Sequence, residues 1–255
     1  MSGPFLLIGD GTAANPTFRP MTGAEIAEAV TGKNLLFATH GFNVGLKLGA
    51  RQMAQLERRM AIAASATFWG VLWPGDFFLT VVNYLFEACD AVECGKRLAA
   101  LCNAQFGDAA SLSFMSHSLG GRLILEAVKR LNRKAKSMCL AAAAVDRDVL
   151  TRQYAVALAN CESVAVLSSV RDRVLQLAYP GGDFLSDLFG DGDSPFRTAL
   201  GFRGPRPYPG ASVAHHPIPK ALDCDHSDYL HAGVHWQSVA GYVRNCLDGS
   251  PQTWP

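Results

Sequence analysis

The sequence predicts an α/β protein: a doubly wound, mostly parallel sheet with helices on both faces. Three observations carry this. Continuous apolar runs at 35–39, 67–73, 111–115 and 163–169 read as strands buried on both faces. Helix-like segments alternate with them, which is how crossover connections build a parallel sheet. The 255 residues, 49% hydrophobic and 18% charged, suit one domain spanning 1–255 with a large core.

In chain order, Phe5-Leu6-Leu7-Ile8 stops at Gly9-Asp10-Gly11 and reads as an edge strand. Residues 22–30 suit a short helix, with Thr22 as cap and Glu25 three residues on in a capping-box arrangement. The strand at 35–39 runs into His40-Gly41-Phe42-Asn43, and 45–65 is helical in pattern. The strand at 67–73 stops at Pro74-Gly75-Asp76. Residues 77–86 are apolar almost all round and follow a strand's carboxyl end, where open α/β sheets bind ligands. The segment 76–90, with Phe77 and Phe78, is therefore a candidate pocket or lid; core filling is the equal alternative. A helix follows at 88–105, then the strand at 111–115 and a helix at 119–131. Residues 137–145 read as a buried strand, although their alanines also suit a helix, and end at Asp146. A helix is expected at 149–160. The strand at 163–169, rich in β-branched residues, ends just before Asp172. The stretch 180–210 mixes Gly, Pro and Phe without period, the texture of a functional loop or lid. A last strand falls within 212–222, and a helix over 229–247 closes the chain.

The centre of this pattern is Ser116-His117-Ser118-Leu119-Gly120-Gly121, an apolar strand turning at once into a helix. A serine at a sharp strand-to-helix turn, with small residues two before and two after, is the mark of a nucleophile elbow. The small residues are needed because the serine takes a strained backbone conformation and bulk at those positions collides with the facing turn. Ser116 departs from the usual glycine. The plainer alternative is a tight turn with serines beside it.

A serine hydroxyl is inert at neutral pH without a histidine base, and the histidine needs a carboxylate to fix its tautomer. In a parallel sheet both must come from loops at the strands' carboxyl ends. Asp172 and His226 follow the last two strands, in the order Ser118, Asp172, His226 that this architecture imposes. Asp146 also follows a strand and stays open as the acid, with Asp183 more remote. His215 and His216 fall in or before the last strand, and His231 and His235 inside the final helix. The plain alternatives are a helix cap for Asp172 and a surface position for His226. The His40-Gly41 loop suits a backbone N–H brought towards a reaction centre, one half of an oxyanion hole. His40 reads as structural, and both it and His117 are kept as candidate pocket residues.

Net charge is +1, which gives no reason to expect nucleic acid or an acidic membrane surface as partner. The basic run at 129–136 falls at a helix end, where cations favour the helix dipole. The seven cysteines are scattered, without C-x-x-C or metal-type spacing, which fits a reducing compartment and points to the cytoplasm. The N-terminus has no signal-peptide pattern, and no apolar run approaches the roughly 20 residues that span a bilayer.

His40-Gly41-Phe42-Asn43, Trp73-Pro74, the Ser116–Gly121 turn, Ser169-Val170-Arg171-Asp172-Arg173-Val174-Leu175 and His226-Ser227-Asp228-Tyr229 together resemble the α/β-hydrolase superfamily. Within it they most resemble the DUF900-like bacterial hydrolases, over roughly residues 33–245. The resemblance implies an α/β-hydrolase fold, a Ser118 nucleophile, an Asp172–His226 pair and an oxyanion hole from the backbone N–H groups of Phe42 and Leu119. It supplies no substrate, because the superfamily hosts many chemistries. The expected activity is hydrolysis of small-molecule carboxylic esters through an acyl-enzyme, with no metal and no organic cofactor. Thioester hydrolysis, acyl transfer on the same residues and a non-catalytic binding protein on this scaffold are the alternatives. Oligomeric state is not readable, a homodimer being one option.

Overall fold

A computed structural model of the chain describes residues 5–7, 21–61, 66–74, 82–178, 198–207, 209–210, 212–231, 233 and 235–249. Among these, seven strands form one sheet: β1 (Phe5–Leu7), β2 (Asn34–Thr39), β3 (Ala66–Leu72), β4 (Ser111–His117), β5 (Ala135–Ala141), β6 (Cys161–Ser168) and β7 (Val213–Pro217). Their order is β1-β3-β2-β4-β5-β6-β7, and every pair is parallel. The strands step one way from β2 to β3 and the other way from β4 onward. The carboxyl end of β4 thus lies at the switch point, where this class of sheet leaves a crevice.

The strands bury both faces, so odd and even residues serve different cores. Leu35, Phe37, Phe114, Leu140 and Val166 point to one side, with α3 (Val82–Gln105), α4 (Gly120–Lys129) and α5 (Ala155–Ala159). Leu36, Ala38, Met115, Cys139 and Leu167 point to the other, with α2 (Leu46–Met60) and the last helix, here α8 (Trp236–Asp248). Phe37 of β2 lies 5.2 Å from Phe114 of β4 and 5.5 Å from Phe106. Such ring pairs add about 0.5–1.5 kcal/mol beyond their burial and fix β2 beside β4. Helix α1 (Gly23–Val30) starts at the expected capping box of Thr22 and Glu25. Among the described residues no helix is long and apolar enough to cross a membrane.

Three expectations need correction. The strand expected over 137–145 stops at Ala141, because Ala142 turns the chain with a positive φ of 46°. Residues 142–144 instead pack under the short helix α7 (Leu200–Arg203): a Cβ on Gly201 would sit 2.2 Å from the Ala142 carbonyl carbon. Ala142, Ala143 and Ala144 are all buried there. The helix expected over 149–160 is only Ala155–Ala159, preceded by turns that bury Tyr154. The helix expected over 229–247 begins at Trp236; before it, His226–Tyr229 is a 3-10 turn capped by Asp225. His231 and His235 therefore precede the helix. Phe77, Phe78 and residues 180–197 lie outside the described residues.

Candidate active site

Ser118 follows β4 directly and has φ 55°. A non-glycine residue held there costs about 1–3 kcal/mol, which its surroundings must offset. They do so through backbone hydrogen bonds. Ser118 N–H donates to Ala141 O at 3.1 Å, and Ser118 O accepts from Gly121 N–H at 3.0 Å and Ala144 N–H at 3.1 Å. The small-residue requirement is visible at Gly120, where a Cβ would lie 2.4 Å from the His40 carbonyl oxygen. Ser116, two residues before Ser118, is wholly buried, and its hydroxyl has no hydrogen-bond partner among the described residues.

The Ser118 hydroxyl faces His226 Nε2 at 3.0 Å, and His226 Nδ1 faces Asp172 Oδ2 at 2.7 Å. These two contacts assign the tautomer: Nδ1–H donates to the carboxylate and Nε2 accepts from the hydroxyl. Asp172 has no solvent exposure. Its second oxygen, Oδ1, accepts from Leu175 N–H at 2.8 Å at the start of α6 (Arg173–Ala178). The helix cap weighed as an alternative for Asp172 is thus real, and one carboxylate both caps α6 and meets His226. Asp146 lies instead in an isolated bridge with Ala199. The end of β5 turns under α7, while the end of β6 faces the loop that follows β7.

His40 is placed behind the site rather than in a pocket. It is fully buried, stacked on Trp73 with ring centroids 5.8 Å apart. Trp73 Nε1–H donates to His40 O at 3.1 Å, and His40 Nδ1 contacts Gly41 O at 3.0 Å. Gly49 of α2 lets the ring fit, since a Cβ there would be 2.7 Å from His40 Cδ2. His40 and Trp73 therefore shape the loop that carries Gly41 and Phe42. Gly41 abuts the serine: a Cβ on it would lie 2.6 Å from Ser118 Cβ. Leu119 N–H lies at the start of α4, where backbone donors have no intrahelical acceptor.

His117 is likewise spent on structure rather than left open to a pocket, at 7% exposure. Its Nε2–H donates to the backbone carbonyl of His226 at 2.8 Å. Burial, followed by the charges of His226, His231 and His40, holds its pKa well below the usual histidine value.

The loop that carries His226 is fastened by residues the sequence pattern did not mark. Asp225 Oδ1 accepts from His226 N–H at 2.7 Å and from Arg173 N–H at 2.9 Å. The Ser169 hydroxyl donates to Cys224 O at 2.5 Å. Gln52 of α2 contacts His231 Nε2 at 2.9 Å. Only the S/D-x-x-D form of Asp225 and Asp228, an N-cap signature, was available in the sequence to hint at one of them.

No curated protein matches the chain. Among solved structures, carboxyl esterase 2 from the fungus Tuber melanosporum is 15% identical, aligns over 85% of this chain and 75% of its own, and has a TM-score of 0.43. An inhibited esterase B from Lactobacillus rhamnosis is 10% identical over 86% of this chain and 77% of its own, TM-score 0.48. A putative α/β-superfamily hydrolase from Xanthomonas campestris is 13% identical over 85% of this chain and 99% of its own, TM-score 0.45. The family described as alpha/beta hydrolase of unknown function (DUF900) matches residues 22–181, more than half of the chain. With the all-parallel sheet and a strained serine at its switch point, the chain belongs to that α/β-hydrolase family.

Proposed function

We propose that the protein is a serine hydrolase that cleaves carboxylic esters through Ser118, His226 and Asp172. The observation that carries this reading is the unbroken chain from Ser118 Oγ through His226 to Asp172 Oδ2, at 3.0 and 2.7 Å, starting from a serine in strained geometry. His226 takes the Ser118 proton as Oγ attacks the ester carbonyl, and the buried Asp172 stabilises the imidazolium. The tetrahedral oxyanion rests on the backbone N–H groups of Leu119 and Phe42, each worth about 3–4 kcal/mol. His226 then protonates the leaving alcohol, and a water that it activates releases the acyl group. Six of the seven cysteines, Cys94, Cys102, Cys139, Cys161, Cys224 and Cys246, are buried free thiols, which supports a reducing, cytoplasmic setting.

A fluorophosphonate probe tests this directly. It is expected to label the wild type and not Ser118→Ala; equal labelling of both ends the reading. Turnover of p-nitrophenyl esters of increasing chain length then sets the acyl preference, and wild-type protein that labels but turns over none of them removes the ester assignment.

A further inference from the structure

We propose that His117 is a positioning residue for the base, holding His226 at the reach that Ser118 requires. The inference rests on the reading of Ser118 and His226 as nucleophile and base. His117 and Ser118 are neighbours in the chain, so both ride on the same elbow. His117 Nε2–H donates to His226 O at 2.8 Å, and Ser118 Oγ meets His226 Nε2 at 3.0 Å. These contacts close a ring: one covalent step along the elbow, one hydrogen bond to the backbone of the base, and one to its imidazole. The separation of serine and base is thus fixed within that ring.

The other end of the same residue is fixed as well. His226 N–H donates to Asp225 Oδ1 at 2.7 Å, so both peptide groups of His226 are held. With its backbone clamped, the side chain has two torsions left, and the Asp172 and Ser118 contacts at its two nitrogens define them. His117 is itself immobilised. Its ring lies 4.8 Å from that of His226 and 5.7 Å from that of Tyr229, and its Nδ1 lies against Gly41, where a Cβ would come within 3.2 Å. The clamp needs a proton on Nε2 and, beside a base that becomes cationic during the reaction, no charge of its own. The His226 carbonyl, which can only accept, calls for the proton on Nε2, and burial keeps the ring neutral.

The test compares amides of different reach. A glutamine amide nitrogen extends about as far from the backbone as histidine Nε2, whereas an asparagine amide stops short of it. Against the wild type, His117→Asn is expected to lower the fluorophosphonate labelling rate and kcat at least about tenfold with KM unchanged, and His117→Gln to recover to within about threefold. Unfolding midpoints in urea are measured alongside. Labelling of His117→Asn at the wild-type rate overturns the proposal, as does equal loss in both variants with KM rising in step, the mark of mere packing. Nitrogen-15 spectra of the wild-type histidines give a readout independent of either variant's folding: an Nε2–H tautomer for His117 is expected, and an Nδ1–H tautomer leaves nothing to donate and overturns it. Failure of the underlying reading looks different, because then the wild type itself is not labelled at Ser118.

Discussion

On the nucleophile side of the site, residues 39–49 and 116–121 are held by close approach, with Gly41, Gly49 and Gly120 each standing where a Cβ would come within 2.7 Å of a neighbour. On the acid–base side, residues 169–175 and 224–231 are held by hydrogen bonds from side chains to backbone: Asp172 to Leu175, Ser169 to Cys224, Asp225 to Arg173 and His226. The two halves should therefore fail differently. Packing at van der Waals contact tolerates no added atom. A hydrogen-bonded loop tolerates a change of side chain that keeps the acceptor in place.

The largest expected effect lies in the polar half and is purely chemical. Asp172→Asn keeps an oxygen for Leu175 N–H but presents His226 with the wrong tautomer, so kcat should fall about 10⁴-fold while the urea midpoint moves little. A larger loss from Asp146→Asn would transfer the acid role and undo the division drawn here. Next is Gly41→Ala in the packed half. One methyl group must displace either Ser118 or the loop bearing Phe42 N–H, so kcat should fall about 10²–10³-fold, the scale of one lost oxyanion donor. Wild-type kcat in Gly41→Ala would show that the loop yields and that close approach is not what holds this half. Smaller still is the contrast at Asp225. Asp225→Asn retains the acceptor and should cost under about 0.5 kcal/mol in urea unfolding, whereas Asp225→Ala should cost about 1 kcal/mol as a lost cap. Equal costs would mean that the negative charge, rather than the acceptor oxygen, fastens the loop.

The same contrast explains what the sequence could reveal. Strands β2, β4 and β6 were legible because burial on both faces leaves a continuous apolar run. Ser118 and Asp172 stand out because each follows such a run, and His226 because it follows the last candidate strand; the structure brings these three side chains together. Asp146 could not be set aside from sequence. The contact that favours Asp172 spans 54 positions, and the packing of Gly201 on the turn at Ala142 joins segments about 60 residues apart whose only local trace is a row of alanines. The start of α8 was misplaced for a related reason. His231, which precedes α8, is tied to α2 through Gln52, 179 positions away in the chain, and no periodicity records such a tie. Beside the nucleophile, His117 is a candidate pocket residue in the sequence. Its hydrogen bond to the His226 carbonyl spans 109 positions.

The last contrast is one of pH on stability, and its sign follows from burial. Folded His117 resists protonation, mainly because it is desolvated and then because His226, His231 and His40 are near, whereas in the unfolded chain it titrates near 6.5. Below that value the unfolded chain binds a proton that the folded one refuses, so stability falls as pH falls from about 6.5 towards the lower folded value. One proton per histidine bounds the slope at about 1.4 kcal/mol per pH unit. His215 and His216, whose burial also lowers their pKa, act in the same direction but are present in wild type and variant alike. The loss of urea stability between pH 7 and 5 should therefore be smaller in His117→Gln than in the wild type. Parallel curves would mean that folded His117 takes up its proton as readily as the unfolded chain does. A charged ring would then sit 4.8 Å from His226, and the polar half would be held against charge repulsion rather than by a neutral clamp.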